Sequence, residues 1–169
     1  MRALLGSWDK EKDSNFPQNF GVAKSESVGR LVGVDAKHKH LELIQGVISR
    51  MAHNSFLLKS WSVVLVSALF ALSAKEKNGY LVPLAYFPAI AFWVLDGYFL
   101  WQERLFRKVY DHVRTKENSA IDFSMNVAPF LSDVEPWWKV TFSLTLRIFH
   151  GTIVGTIILV MLVFYKYIC

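Results

Sequence analysis

The C-terminal segment from Trp137 to Cys169 has the apolar composition of a membrane span, yet its first half contains residues that carry charge. Lys139, Arg147 and His150 share with Ser143 one helix face about 80° wide, taken at 100° per residue. A charge in hydrocarbon costs at least about 2.5 to 3.5 kcal/mol unless it faces protein or water. The stripe therefore predicts either an ion pair between helices or the cationic lining of a water-filled path.

Asp96 is the candidate ion-pair partner for Arg147. It lies five residues before Trp101, which places it about 7 Å towards the bilayer centre by the helical rise. An arginine side chain is long enough to close the remaining difference in depth. An Asp96 to Arg147 pair would make both residues structural. The alternative is that Arg147 and His150 face a central space formed by several copies of the chain, where a ring of cations favours anions.

Aromatic and apolar side chains on the same segment could close such a path by dewetting. Beside the cationic stripe, Gly151 and Gly155 form a small-xxx-small pair that lets another helix backbone approach closely. Because three spans do not by themselves enclose a polar path, we expect copies of the chain to assemble. The pore or gating candidates are Phe142, Arg147, Phe149, His150 and Phe164.

Two further apolar segments precede this one and are long enough to cross about 30 Å of hydrocarbon. The first span is predicted over residues 56–74 and the second over residues 80–101. The five-residue turn from Lys75 to Gly79 makes them antiparallel neighbours. Pro88 is predicted to kink the second span, because it leaves a carbonyl without its donor.

The spans continue into water as amphipathic helices, so residues 36–117 are predicted to form a helical hairpin with a stalk. Residues 1–35 show no sustained period and are predicted to be irregular, and residues 118–136 form a polar connector. The third transmembrane helix is predicted over residues 137–167. A second interpretation of its start is that residues 137–149 form an interfacial helix, which leaves a rather short apolar remainder to span.

Composition fits this membrane class. The chain has 169 residues, of which 53% are hydrophobic and 20% charged, and its net charge is +5. The turn between the first two spans contains two positive residues, Lys75 and Lys77, whereas the stalk contains more. By the positive-inside rule, the N-terminus and the connector are therefore predicted in the cytoplasm and the C-terminal tail outside. The stalk forms a cytoplasmic basic patch that consists of Arg104, Arg107, Lys108, Arg114 and Lys116.

The basic patch could bind anionic lipid headgroups, or a nucleotide or nucleic-acid signal, through charge. The lipid interpretation is favoured because such residues are expected beside any span. His38 and His40 point to different sides of a helix and have no third ligand nearby, so they predict a solvated helix start and no metal site. The only cysteine is Cys169, and no phosphate-binding loop or nucleophile motif is present. We expect neither an enzyme nor a cofactor.

Two stretches carry a resemblance to a known family. They are "KHLELIQGVISRMAHNSFLLKSWSVVLVSALFALSAK", from Lys39 to Lys75, and "AYFPAIAFWVLDGYFLWQERLFRKVYDHV", from Ala85 to Val113. The chain resembles the RipA-type octameric membrane proteins of bacteria over about its middle half. The resemblance implies an all-α homo-oligomer, an octameric ring in that family, in the inner (cytoplasmic) membrane.

Members of that family or look-alikes occur near anti-phage defence genes. The resemblance therefore implies an ion-conducting or membrane-permeabilising effector, gated through its cytoplasmic stalk by a partner protein or by a nucleotide or oligonucleotide signal. The alternative is a non-conducting membrane scaffold or sensor that anchors a cytoplasmic partner. The partners expected from the sequence are other copies of the chain, the lipid bilayer and that cytoplasmic cue.

Overall fold

The computed structural model describes residues 19–76 and 79–168, which form helices and turns without any strand. Short 3₁₀ turns at Gly79–Leu81 and Pro83–Ala85 follow the first helix, and others at Asn118–Ala120 and Ala128–Phe130 lie in the connector. The prediction of an all-helical protein is confirmed for these residues. The helices are α1 (Asn19–Glu76), α2 (Tyr86–Thr115), α3 (Trp137–Thr141) and α4 (Leu144–Ile168).

Three of these helices are long and apolar enough to cross a membrane. The candidate spans lie within Leu31–Glu76, Pro83–Thr115 and Leu144–Lys166. The first two match the predicted spans 56–74 and 80–101, each with a helical extension. The predicted number of transmembrane helices is thus supported by length and composition.

α1 is a single helix of 58 residues. Residues 19–35 belong to it, so the prediction of an irregular segment is wrong there, and residues 1–18 lie outside the described part of the chain. No proline interrupts α1, and a helix that has nucleated propagates at little cost even where Leu31 and Val32 remain exposed. Among the side chains described in this part of α1 none is fully buried, and Val34 is only partly buried. The sequence there shows no apolar period.

α2 begins at Tyr86, after the 3₁₀ turn that contains Pro83. Pro88 is therefore the third residue of α2, where backbone N–H groups have no partner within the helix. The predicted kink at Pro88 is wrong for this reason. α2 ends at Thr115, and Lys116 caps it with an extended ψ of 151°. This is two residues before the predicted end of the hairpin at residue 117.

The third predicted helix is in fact two helices. α3 ends at Thr141, and Phe142 has φ −97° and ψ 21°, outside the helical region. α4 then begins at Leu144. Neither a continuous helix over 137–167 nor an interfacial helix over 137–149 describes this segment as a whole, because the break falls at residues 142–143.

Two clusters of buried apolar residues hold the helices together. One lies among the candidate spans and joins α1, α2 and α4. The other lies in the stalk, which we define as residues 19–55 of α1 and 102–115 of α2. Connector residues Ile121, Met125 and Phe130 pack against the stalk cluster. The connector is therefore part of the packed structure and lies along the stalk.

Candidate functional site

The candidate site is a buried carboxylate, Asp96, that contacts both other spanning helices. Asp96 lies on α2 and is fully buried. Ser55 and Lys59 are four residues apart on α1, so they face α2 together. His150 reaches the same carboxylate from α4. One acidic side chain thus ties the three candidate spans to one another.

The carboxylate of Asp96 accepts three hydrogen bonds. The Ser55 hydroxyl donates to Oδ1. The Lys59 Nζ lies 2.6 Å from Oδ2 and also donates to Ser55 Oγ over 2.7 Å. His150 Nε2 lies 2.9 Å from Oδ2. A carboxylate with three donors, one of them an ammonium, is well satisfied despite its burial.

This geometry assigns the proton on His150. Because Nε2 faces the carboxylate, it must carry the hydrogen, and a neutral ring then leaves Nδ1 as an acceptor. Nδ1 is buried and has no partner among the described residues. With a neutral imidazole, the negative charge of Asp96 is balanced by the positive charge of Lys59. A second proton on His150 would add a net charge and a buried donor without an acceptor.

Aromatic rings enclose His150. The Trp93 ring stacks on it with centroids 5.7 Å apart and planes 8° apart, and Phe149 meets it edge-on at 5.1 Å. Trp93 Nε1 also donates to the Thr141 carbonyl over 2.9 Å, which links the site to α3. We call Ser55, Lys59, Trp93, Asp96 and His150 the membrane cluster.

α3 can lie against α2 at this point because residue 97 is glycine. A Cβ on Gly97 would stand 2.8 Å from the Thr141 Cα and would overlap the Thr141 Oγ1. Thr141 is itself buried, and its hydroxyl donates to the Trp137 carbonyl over 2.9 Å. The close approach of two backbones thus fixes the position of α3 over the membrane cluster.

Counting residues gives the depth of the membrane cluster in a bilayer. Lys59 lies 17 residues before Glu76, and Asp96 lies 17 residues after Gly79. At about 1.5 Å per residue of α-helix, Lys59 is about 25 Å from the end of α1, and Asp96, which it contacts, lies at the same level. Since hydrocarbon is about 30 Å thick, the cluster lies roughly 5 Å inside the opposite boundary. Lys59 keeps 23% of its side chain exposed there.

Arg147 does not pair with Asp96, so that prediction is wrong. The break at residues 142–143 changes the direction of the helix, and the face that α4 turns to α2 carries His150 instead. Arg147 is exposed, and its side chain has no ion pair or hydrogen bond within the described residues. It lies 19 residues before Lys166, about 28 Å by the helical rise, and thus near the boundary where it can reach headgroups.

The other pore or gating candidates divide into two groups. His150 is only 1% exposed, and Phe149 and Phe164 pack against the apolar cluster among the spans. These three face their own subunit in this conformation, so the prediction that His150 faces a shared space is wrong for it. Phe142 is 57% exposed. Phe142 and Arg147 therefore remain the accessible candidates.

Gly151 and Gly155 have open space around them. A Cβ on either residue would meet nothing within 4 Å. They do not mediate packing within the chain, so the predicted contact would need another molecule. They lie on an exposed face of α4, about 80° wide at 100° per residue. We call this face the outer stripe, and its residues are Leu144, Arg147, Gly151, Gly155, Ile158 and Leu162.

A second buried imidazole lies in the stalk. His40 on α1 is fully buried, its Nε2 lies 3.2 Å from the Ser124 carbonyl, and its Nδ1 has no partner among the described residues. The ring packs at 5.3 Å from the Phe123 ring. Phe123 has φ 53°, a strained conformation for an aromatic residue. The prediction that His40 is solvated is therefore wrong, because the connector covers it.

The connector is also held by charge. Lys37 Nζ donates to the Lys116 carbonyl over 2.8 Å, and Lys116 Nζ lies 3.5 Å from Asp122 Oδ2. The Ser124 N–H donates to the Asp122 side chain over 3.2 Å. This hydrogen bond, together with Lys116, lowers the pKa of Asp122 below its usual value of 3.8. Sequence reasoning missed the contact between Lys37 and Lys116 because these residues are 79 positions apart.

The predicted basic patch is partly neutralised within the chain. Arg107 pairs with Glu103, Arg114 lies 3.6 Å from Asp111, and Lys116 pairs with Asp122. Arg104 and Lys108 make no ion pair in the described parts of the chain. No group of three or more metal-binding side chains occurs within residues 19–76 and 79–168.

Comparisons with family models, curated proteins and solved structures found no match to this chain. The resemblance to the RipA-type proteins therefore stays an expectation that rests on the quoted residues. A function can be argued from three features: the membrane cluster, the outer stripe, and the stalk with the connector packed against it.

Proposed function

We propose that this protein is a homo-oligomeric bacterial inner-membrane effector that lets ions leak across the membrane when its cytoplasmic stalk receives a signal. The observation that carries the proposal is the outer stripe of α4, which combines an unpaired Arg147 with open space at Gly151 and Gly155. Lipid tails gain nothing from such a notch, whereas a second helix can pack closely into it.

Several copies that meet through their outer stripes place one α4 each around a common axis. Arg147 would then form a ring near the cytoplasmic mouth, where clustered cations favour anions over cations. Phe142 is exposed at the break just before α4 and supplies a bulky apolar group at the same mouth. Together they provide selectivity and closure for a narrow path.

The membrane cluster has a structural part in this proposal. By tying α4 to α1 and α2 through Asp96, it fixes which face of α4 points outward. The connector leads directly into α3, and α3 contacts the cluster through Thr141 and Trp93. A signal that moves the connector would therefore reach α4 through a continuous chain of packed groups. The expected cue is a defence partner protein or a nucleotide or oligonucleotide signal.

Ion flux in cells tests the proposal. The full chain is expressed with its genomic neighbours, and membrane potential is followed after activation by phage. The wild type should depolarise the membrane, and Arg147→Leu should change the ratio of chloride to potassium flux. Arg114→Gln is the matched control, since Arg114 is an exposed cation on the stalk that pairs with Asp111. Unchanged selectivity in Arg147→Leu would remove this residue from the path.

Assembly is measured separately on the purified protein. Native mass spectrometry should give several copies per particle, and Gly155→Leu, which fills the open notch, should lower that number. A wild-type particle with a single copy would overturn the proposal, because three spans from one chain do not enclose a path for ions. Circular dichroism of Gly155→Leu checks that the monomer fold is retained.

A second candidate is a non-conducting scaffold or sensor that anchors a cytoplasmic partner. It is favoured by an open groove of about 450 Å³ on the stalk, lined by His38, Leu41, Glu42, Gln45 and Tyr110. A membrane potential that persists through activation, together with binding of a neighbouring gene's product that Tyr110→Ala abolishes, would support the scaffold over the conducting protein.

A further inference from the structure

A groove with walls of opposite charge lies where α2 leaves the candidate membrane region. Its volume is about 300 Å³. One wall is formed by α2 and carries three cations. The other wall is the end of the connector, just before α3, and carries two carboxylates. The lining residues are Arg104, Arg107, Lys108, Asp133, Val134 and Glu135.

The two walls do not neutralise each other. Arg107 pairs with Glu103 on its own helix, and Glu135 lies 3.7 Å from Lys139 on α3. In the described parts of the chain, no ion pair within 4 Å crosses the groove, and Arg104, Lys108 and Asp133 form none at all. The groove therefore presents a free cationic side and a free anionic side to a ligand that fits between them.

The groove opens at the depth of lipid headgroups. Arg104 lies three residues, about 4.5 Å, beyond Trp101, and Glu135 is followed after one residue by Trp137 and Trp138. Both of these tryptophans are exposed. Trp residues prefer the boundary between hydrocarbon and water, so they mark the level of the groove in the bilayer.

We propose that this groove binds the headgroup of phosphatidylethanolamine, a phospholipid that carries a phosphate and a primary ammonium. The phosphate contacts Arg104 and Lys108, and the ammonium donates hydrogen bonds to Asp133 and Glu135. This inference depends on the placement of the chain in a membrane and is independent of ion conduction.

The charge arrangement distinguishes this lipid from the other common headgroups. Phosphatidylglycerol offers a phosphate but no cation, so Asp133 would stay unpaired and both carboxylates would face an anion. Phosphatidylcholine has a quaternary ammonium, which has no N–H group to donate to a carboxylate. Only the primary ammonium satisfies both walls, and stepwise N-methylation should weaken binding in steps.

Native mass spectrometry of the purified full-length protein tests the proposal, with the three lipids titrated at matched acyl chains. The wild type should bind phosphatidylethanolamine at least about threefold more tightly than phosphatidylcholine or phosphatidylglycerol, as two exposed charge contacts allow. Asp133→Asn/Glu135→Gln should abolish the preference over phosphatidylcholine and should strengthen binding of phosphatidylglycerol.

The double variant Arg104→Gln/Lys108→Gln should weaken binding of all three lipids, because each carries a phosphate. Lys39→Gln/Glu42→Gln is the matched control, since these exposed residues pair with each other on α1, outside the basic patch. Equal affinities for the three lipids in the wild type, tighter binding of phosphatidylglycerol, or a preference that survives Asp133→Asn/Glu135→Gln would each overturn the proposal.

Discussion

The chain buries two imidazoles, one among its spanning helices and one in its stalk, and their surroundings are alike up to a point. His150 and His40 are both almost fully buried, both use Nε2 as their hydrogen-bonding atom, and both leave Nδ1 without a partner among the described residues. Each also packs against an aromatic ring. The partner of Nε2 differs: it is the carboxylate of Asp96 for His150 and the backbone carbonyl of Ser124 for His40.

This difference in the partner of Nε2 determines how strongly each imidazole joins the elements around it. A hydrogen bond to an ionised group is roughly twice as strong as one between neutral groups, and it gains further in a low-dielectric environment. The membrane cluster therefore anchors three helices, whereas His40 fastens one loop to one helix. Because the stalk site has the weaker bond and a strained neighbour, we expect the connector to open before the spans separate.

The largest effect is expected when the membrane cluster loses its carboxylate. Asp96→Leu should lower the free energy of unfolding by about 3 kcal/mol, the low end for breaking a buried ion pair. The value is not larger because Lys59 keeps 23% of its side chain exposed and can turn to the headgroups. Unfolding by titration of a denaturing detergent in mixed micelles measures the change.

A double variant shows whether charge is the cause. In Lys59→Met/Asp96→Leu no unpaired charge is left among the helices, so most of the lost stability should return. If the double variant is as unstable as Asp96→Leu, then the shape of the Asp96 side chain matters and its charge does not.

The next effect concerns the cover of the membrane cluster. Gly97→Ala should destabilise the protein by about 2 kcal/mol, since the new Cβ would overlap Thr141 and push α3 away. The Trp93 indole would be uncovered when α3 moves and would contact water, so the tryptophan emission of the protein should shift to longer wavelength. Detergent unfolding and tryptophan emission are the two measurements.

Gly155→Ala is the control for this substitution, because a Cβ there meets nothing within 4 Å. It should not destabilise the monomer, since alanine is the better helix former, and it should alter the copy number. Equal destabilisation by both alanines would mean that a general loss of glycine, and not the contact with Thr141, is responsible.

A matched pair of substitutions compares the two imidazoles directly. His150→Leu should cost about 1.5 kcal/mol and His40→Leu about 1 kcal/mol, in line with hydrogen bonds to a charged and to a neutral acceptor. Hydrogen exchange should also show that the two substitutions act on different parts of the chain. His40→Leu should expose amides of residues 121–127, whereas His150→Leu should increase exchange in α4. If His40→Leu lowered the free energy of unfolding by more than His150→Leu does, the conclusion that the membrane cluster holds more strongly would be reversed.

Parts of the membrane cluster could be predicted from the sequence. A buried acid at Asp96 needs a partner in any membrane helix, and the sequence indicated this need. Arg147 was chosen as the partner because it lies well inside the predicted third span, whereas Lys59 lies close to the start of the predicted first span. Lys59 and Asp96 lie a similar number of residues from the turn, and this count would have added Lys59 as a second candidate partner.

Other features had no local signal. The break at Phe142 follows no glycine or proline, so a helical period was continued through it, and every face assigned beyond it was rotated. His40 appeared solvated because its cover comes from Ser124, 84 residues away. Residues 19–35 form a helix although their sequence has no apolar period, so periodicity does not detect it. Each of these errors concerns tertiary contact or its absence, and the three spans themselves were predicted from length and hydropathy.

The smallest expected effect concerns the stalk, and it is the pH dependence of the stability that Asp122 gives to the connector. The pKa of Asp122 is lowered by the Ser124 N–H and by Lys116, so its carboxylate stabilises the folded connector when ionised. For a depressed pKa, this contribution is fully present above the unfolded value of 3.8 and is lost as the pH falls through the lower folded value. Asp122→Asn should therefore be slightly less stable than the wild type at pH 7, and the gap should close only in the acid range. A gap that closes well above the acid range would contradict the assignment of the effect to Asp122.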